Sequence, residues 1–126
     1  MNFYKGNIEK ETLKNTFFRR VLFTGKHSQL VVMNLKPGEE IGMEVHNTVD
    51  QFFRFESGYG KVIIDDIQYK VGDGDAIVVL AGSKHNIINT SSKENLKLYT
   101  IYSPPNHPDG TIHKTKAEAE AYEKHH

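Results

Sequence analysis

Between Phe17 and Tyr102, turn-forming clusters cut the chain into nine runs of four to eight residues, each rich in Val, Ile, Phe or Tyr. That spacing is what most restricts the fold, because β-branched and aromatic runs this short suit a pleated sheet and are too short for helices. The runs are Phe17–Thr24, Gln29–Asn34, Ile41–His46, Gln51–Glu56, Lys61–Ile64, Ile67–Val71, Ala76–Val79, His85–Asn89 and Leu96–Tyr102. Turn formers separate them, among them Lys36-Pro37-Gly38, Asp65-Asp66, Gly72-Asp73-Gly74 and Ala81-Gly82-Ser83. No long helical pattern alternates with the runs, which excludes a βαβ arrangement. The expectation is an all-β sandwich or barrel.

Only the ends depart from this pattern. Asn7–Asn15 is polar and reads as a helical turn or a loose arm. Thr115–Glu123 is dense in helix formers, with Thr115 as N-cap and Glu118 three residues on, and predicts a short C-terminal helix. The 126 residues suit one domain, expected to span 1–126. Lys plus Arg and Asp plus Glu number 16 each, so no net field draws the chain to nucleic acid or an anionic membrane. No apolar run approaches the ~20 residues of a membrane span. The opening Met-Asn-Phe-Tyr-Lys-Gly lacks the basic-then-apolar order of a secretory signal, and a cytoplasmic location is the expectation.

With no cysteine, a metal could be held only by His nitrogen and carboxylate or amide oxygen. Glu44 and His46 are two apart in a strand-like run and leave the same face. Gln51 lies on the next run and His85 opens a later one. Singly, each is commoner as a solvated or core residue than as a ligand. If the barrel closes so that these strands are neighbours, two imidazoles and two oxygen donors converge on a site for one divalent ion: Mn, Fe, Co, Ni or Zn.

The segment Pro37-Gly38-Glu39-Glu40-Ile41-Gly42-Met43-Glu44-Val45-His46, followed by Gln51 and Gly58, resembles the first motif of the cupin superfamily. Gly74-Asp75, Ala81-Gly82, His85 and Asn89 follow at the intervals of the second. The two motifs occupy about 37–58 and 74–89. The resemblance implies a double-stranded β-helix, the jelly-roll barrel of cupins, with Glu44, His46, Gln51 and His85 as metal ligands. It also marks departures: Glu44 stands where the family usually has its first His, Gln51 where it has Glu, and Leu80 where it has the turn proline. Gln51 can offer an amide oxygen but cannot serve as a general base. Proton transfer then falls to Glu44, provided the metal does not saturate it.

Alternation puts Phe53, Phe55 and either Tyr99 or Ile101 on the barrel lining, as core for the most part and as pocket wall near the ligands. Tyr102–His113 carries three prolines within five residues and cannot join a central strand. It resembles the segment after the last strand in the bacterial mannose-6-phosphate-isomerase-like cupins, and it could bring His107 or His113 to the barrel mouth. Met43 and Val45 point away from the ligands; either a homodimer or the C-terminal helix would cover them. As a phosphate clamp only Lys84 and the Arg19-Arg20 pair are available, and solvated positions are expected for both.

The functional expectation is a metalloenzyme of isomerase or lyase type acting on a small sugar or oxo-acid. Two alternatives remain: a non-haem Fe or Mn dioxygenase, and a binding domain without turnover.

Overall fold

The structure is a computed structural model and describes residues 2–125. Ten strands follow a first helix: α1 Ile8–Lys14, β1 Arg19–Thr24, β2 Gln29–Leu35, β3 Glu44–Val45, β4 Asp50–Ser57, β5 Tyr59–Ile64, β6 Ile67–Gly72, β7 Ala76–Val79, β8 Lys84–Asn89, β9 Leu96–Ser103 and β10 Ile112–His113; α2 Lys116–His125 ends the chain. They form a six-stranded sheet in the order β10-β1-β2-β9-β4-β7 and a four-stranded sheet in the order β3-β8-β5-β6. Every pairing is antiparallel. The two sheets enclose one core, as the double-stranded β-helix expectation requires.

Strand alternation decides what lies inside. On β4 the buried positions are Gln51, Phe53 and Phe55, and on β9 they are Leu96, Leu98, Thr100 and Tyr102. Inward aromatics from β4 meet inward aliphatics from β2, β8 and β9, and each large side chain so buried contributes roughly 1.5–3 kcal/mol. Tyr99 and Ile101 therefore occupy the other face of β9. This corrects the expected lining, which was one residue out of register; Tyr99 packs instead on Phe52, with ring centroids 6.1 Å apart.

Two further departures have local causes. The expected strand Ile41–His46 shrinks to Glu44–Val45 plus an isolated bridge between Glu40 and Ile88. Gly42 interrupts it at φ 109, giving its N–H to Asn86 Oδ1 at 2.8 Å instead of to a ladder. The proline-rich tail yields the two-residue strand β10, which can form because it begins beyond Pro108 and lies at a sheet edge against β1. Asn7–Asn15 is the short helix α1, with Asn7 Oδ1 accepting from the Lys10 N–H at 3.0 Å. At the other end Thr115 caps α2 as expected, its Oγ1 accepting from the Glu118 N–H at 3.1 Å. That helix lies beside β10, with the His113 and Tyr122 rings 5.3 Å apart, and leaves Met43 and Val45 46% and 48% exposed.

Asp65 and Asp66 form the two-residue β5–β6 turn with φ 46 and 71, the left-handed pair a tight hairpin needs. Asp tolerates this region, but a β-branched side chain there is strained by about 1–2 kcal/mol. Asp66→Val is expected to lower the unfolding free energy by that amount in urea titrations, and Asp66→Gly to leave it unchanged or higher.

Candidate metal centre

Three side chains from two strands and the loop between β3 and β4 meet at one end of the barrel. Glu44 pairs directly with His85 across β3 and β8, so their side chains emerge side by side. His46 follows one residue after β3, its carbonyl held by the Gly82 N–H at 2.8 Å, and Gly82 is itself at φ 89 in the β7–β8 turn. Asp50 Oδ1 accepts from the Ala81 N–H at 2.8 Å and fixes the same turn from the other side. The turn, with Leu80 where the resemblance has its proline, thus positions the site through one backbone and one side-chain hydrogen bond.

Ligating atoms of Glu44, His46 and His85 all lie within 4.8 Å of one another. His46 Nε2 is 3.2 Å and His85 Nε2 3.8 Å from Glu44 Oε2. Ligands about 2.0–2.2 Å from a shared ion can stand no more than roughly 4.4 Å apart, so both separations fit one ion. His85 gives the clearest indication. Its Nδ1 lies 3.1 Å from the Ser83 carbonyl, which makes Nδ1 the protonated nitrogen and leaves a lone pair on Nε2. That Nε2 is buried with no hydrogen-bond partner. A buried acceptor left open beside a carboxylate and a second imidazole suits a cation. Phe53 packs against the His85 ring at 6.1 Å and helps hold its orientation.

Gln51 is 2% exposed on β4, opposite Tyr102 of β9. Its Nε2 donates to Thr100 Oγ1 at 3.0 Å, while Oε1 is buried and unpartnered. The amide therefore keeps its oxygen available as a donor to an ion. Phe55 is fully buried in the core.

Burial alone would raise the Glu44 carboxyl, but the hydrogen bond from His46 and the charges of His46, Arg19 and His85 outweigh it and hold the pKa below its ordinary value. Glu44 is thus ready as an anionic ligand. Its side chain is 25% exposed and that of His46 16%, so the site opens to solvent on their side.

The tail reaches this end of the barrel. Gln29, buried on β2, clamps it: Oε1 accepts from the N–H groups of Asn106 and His107, and Nε2 donates to the His107 carbonyl at 2.7 Å. His107 Nε2 then lies 3.1 Å from the Tyr102 hydroxyl, and His113 on β10 has Nδ1 3.4 Å from Arg19 Nη1. The Tyr102 ring stands edge-on to His46 at 6.0 Å. Burial pushes the Tyr102 hydroxyl up to about 12, keeping it a neutral donor. Arg19 is 2% exposed, correcting the solvated position expected for it, whereas Arg20 and Lys84 are exposed. Tyr102 and Arg19 are the site residues that sequence reasoning missed. Each was in phase with buried neighbours, Leu98 and Thr100 for the first and Val21 for the second, but the adjacent Arg20 concealed the inward position of Arg19.

Burial, with the Arg19 charge next in effect and Glu44 opposing, lowers His107 to about 3. The folded pKa lies below the unfolded value, so its contribution is intact above about pH 6.5 and is lost as pH falls toward 3, where only the unfolded chain takes the proton. The urea midpoint is expected to drop between pH 6.5 and 4.5, and to drop less in His107→Gln; equal drops would contradict this assignment.

This geometry is that of a jelly-roll barrel with a two-imidazole, one-carboxylate cluster at its mouth. Residues 31–102 match the family model for the Cupin domain, and the chain belongs to the cupin family. It is 51% identical over 123 residues to the uncharacterized protein YrkC of Bacillus subtilis, covering 93% of this chain and 66% of YrkC. It is 46% identical over 112 residues to the uncharacterized protein L612 of Acanthamoeba polyphaga mimivirus, covering 86% of this chain and 70% of L612. The crystal structure of BH2720 from Bacillus halodurans superposes with TM-score 0.91 at 47% identity, covering 94% of this chain and 93% of that one.

Proposed function

We propose that this cupin is a divalent-metal-dependent enzyme of isomerase or lyase type acting on a small polar organic molecule, a sugar or an oxo-acid. The observation that carries the reading is the buried, unpartnered Nε2 of His85 facing Glu44 and His46. Glu44, His46 and His85 would hold the ion, with Gln51 Oε1 as a fourth donor. When bound, such an ion acts as a Lewis acid on ligand oxygens. Around it, the Ser83 carbonyl keeps His85 in the ligating tautomer and Phe53 fixes its ring. Glu44, where the ion does not saturate it, would carry the proton, since Gln51 cannot. The tail resemblance would make the ligand a phosphosugar. Against that, Arg20 and Lys84 are exposed, so of the three cations considered for a phosphate clamp only Arg19 is buried, and an unphosphorylated acid or sugar suits the site better.

The test is NMR in deuterated buffer on protein loaded in turn with Mn, Fe, Co, Ni and Zn, against 2-oxo acids, 2-hydroxy acids, aldoses and ketoses. Metal-dependent deuterium incorporation or conversion, lost in Glu44→Gln that still carries metal, is the expected result. Two imidazoles with one carboxylate also form the ligand set of non-haem iron oxygenases, and conversion that consumes dissolved oxygen would move the assignment there. Ligand binding with no turnover under any metal would overturn the enzyme reading in favour of a binding domain.

A further inference from the structure

Arg19 is charged and 2% exposed, and its guanidinium is partnered by the Tyr102 hydroxyl and by the Phe18 ring, 5.3 Å from Cζ, neither of them an anion. Its Nε has no hydrogen-bond partner, and its contact with His113 is a long 3.4 Å to an imidazole whose pKa burial holds down. Among the described residues no carboxylate lies within 4.0 Å of it, although Glu44 is near enough for each to feel the other's charge. A buried guanidinium is costly unless an anion accepts from its planar fork. The Tyr102 hydroxyl, beside Arg19 and Gln51, links it to the cluster: that ring stands 6.0 Å from His46.

We propose that Arg19 and the Tyr102 hydroxyl anchor the carboxylate of a small 2-oxo or 2-hydroxy acid whose remaining oxygens face Glu44, His46 and His85. This rests on the metal reading above and narrows it to an acid. Charge favours the same choice. With His107 neutral, the interior holds Arg19 and Glu44, which cancel, and a divalent ion would leave it doubly positive. A neutral sugar leaves that excess unchanged, whereas an acid anion halves it. The guanidinium fork also matches a carboxylate in two parallel hydrogen bonds.

Calorimetric titrations of Mn(II)-loaded protein with pyruvate and with hydroxyacetone test this, since the two ligands differ only in the carboxylate. Pyruvate is expected to bind about 10–100-fold tighter than hydroxyacetone, and Arg19→Met to remove that preference while leaving Mn(II) affinity within about threefold. Arg19→Lys, which keeps the charge but not the fork, should retain part of it. Because the wild-type comparison needs no variant, a misfolded Arg19→Met would not decide the outcome. No Mn(II) uptake by wild type would sink the metal reading. Mn(II) uptake with equal affinity for the two ligands, or tight inorganic phosphate binding with none for pyruvate, would overturn the acid assignment alone.

Discussion

Replacing His46 and His85 together with alanine is expected to lower Mn(II) or Ni(II) affinity by more than about 1000-fold and to abolish metal-induced stabilisation. Groups that only orient a metal ligand are worth about 10–100-fold in affinity, so two direct ligands should exceed that range. Glu44 would remain, a quarter exposed, and one carboxylate with one amide oxygen does not make a tight site. The readout follows from mass action: at 100 times its Kd, an ion that binds only the folded chain adds about 2.7 kcal/mol to stability. Wild type should therefore melt several degrees higher with the ion than with chelator, and the double variant should melt at one temperature in both. A metal-dependent shift that survives in the variant would mean that the ion binds elsewhere.

The second large effect joins packing to the site. Phe53→Ala is expected to cost about 3–5 kcal/mol, the usual range for deleting a fully buried phenyl ring, and to lower the melting temperature by roughly 10–20 °C. Phe53 is 1% exposed and meets the His85 ring edge-on at 6.1 Å, so the cavity would also free that imidazole to turn. Metal affinity should weaken by about tenfold, less than on removing a ligand. Phe55→Ala supplies the comparison. Its ring is equally buried two residues along β4, and among the described residues no ring contact joins it to His46 or His85, so stability should fall by a similar amount with metal affinity unchanged. Equal losses of metal affinity in both variants would show only general loosening of the barrel.

The sheets were legible in the sequence because strand physics is local: β-branched runs, period-two alternation and turn residues are read without tertiary information. The spacing of Glu44 and His46 gave their common face for the same reason. What escaped was set by long-range pairing. β9 could be placed but not phased, since Leu96 through Tyr102 is apolar on both faces apart from Lys97 and Thr100, and only pairing with β2 and β4 sends Tyr102 inward rather than Tyr99. Arg19 was misjudged because a charged residue beside another charge looks solvated; its inward phase is fixed by pairing with Met33 and His113. β10 escaped because two residues carry no periodicity. The Gly42 interruption of the third run came from a single positive φ that the sequence marks only as a glycine.

The central claim, that Glu44, His46 and His85 hold one divalent ion, is tested most directly by anomalous X-ray diffraction from crystals of the Mn(II)- or Zn(II)-loaded protein at the metal's absorption edge. The account predicts a single peak about 2.0–2.3 Å from His46 Nε2, His85 Nε2 and a Glu44 carboxylate oxygen. An empty cluster in crystals grown with excess ion, or a peak held by other residues, would contradict it.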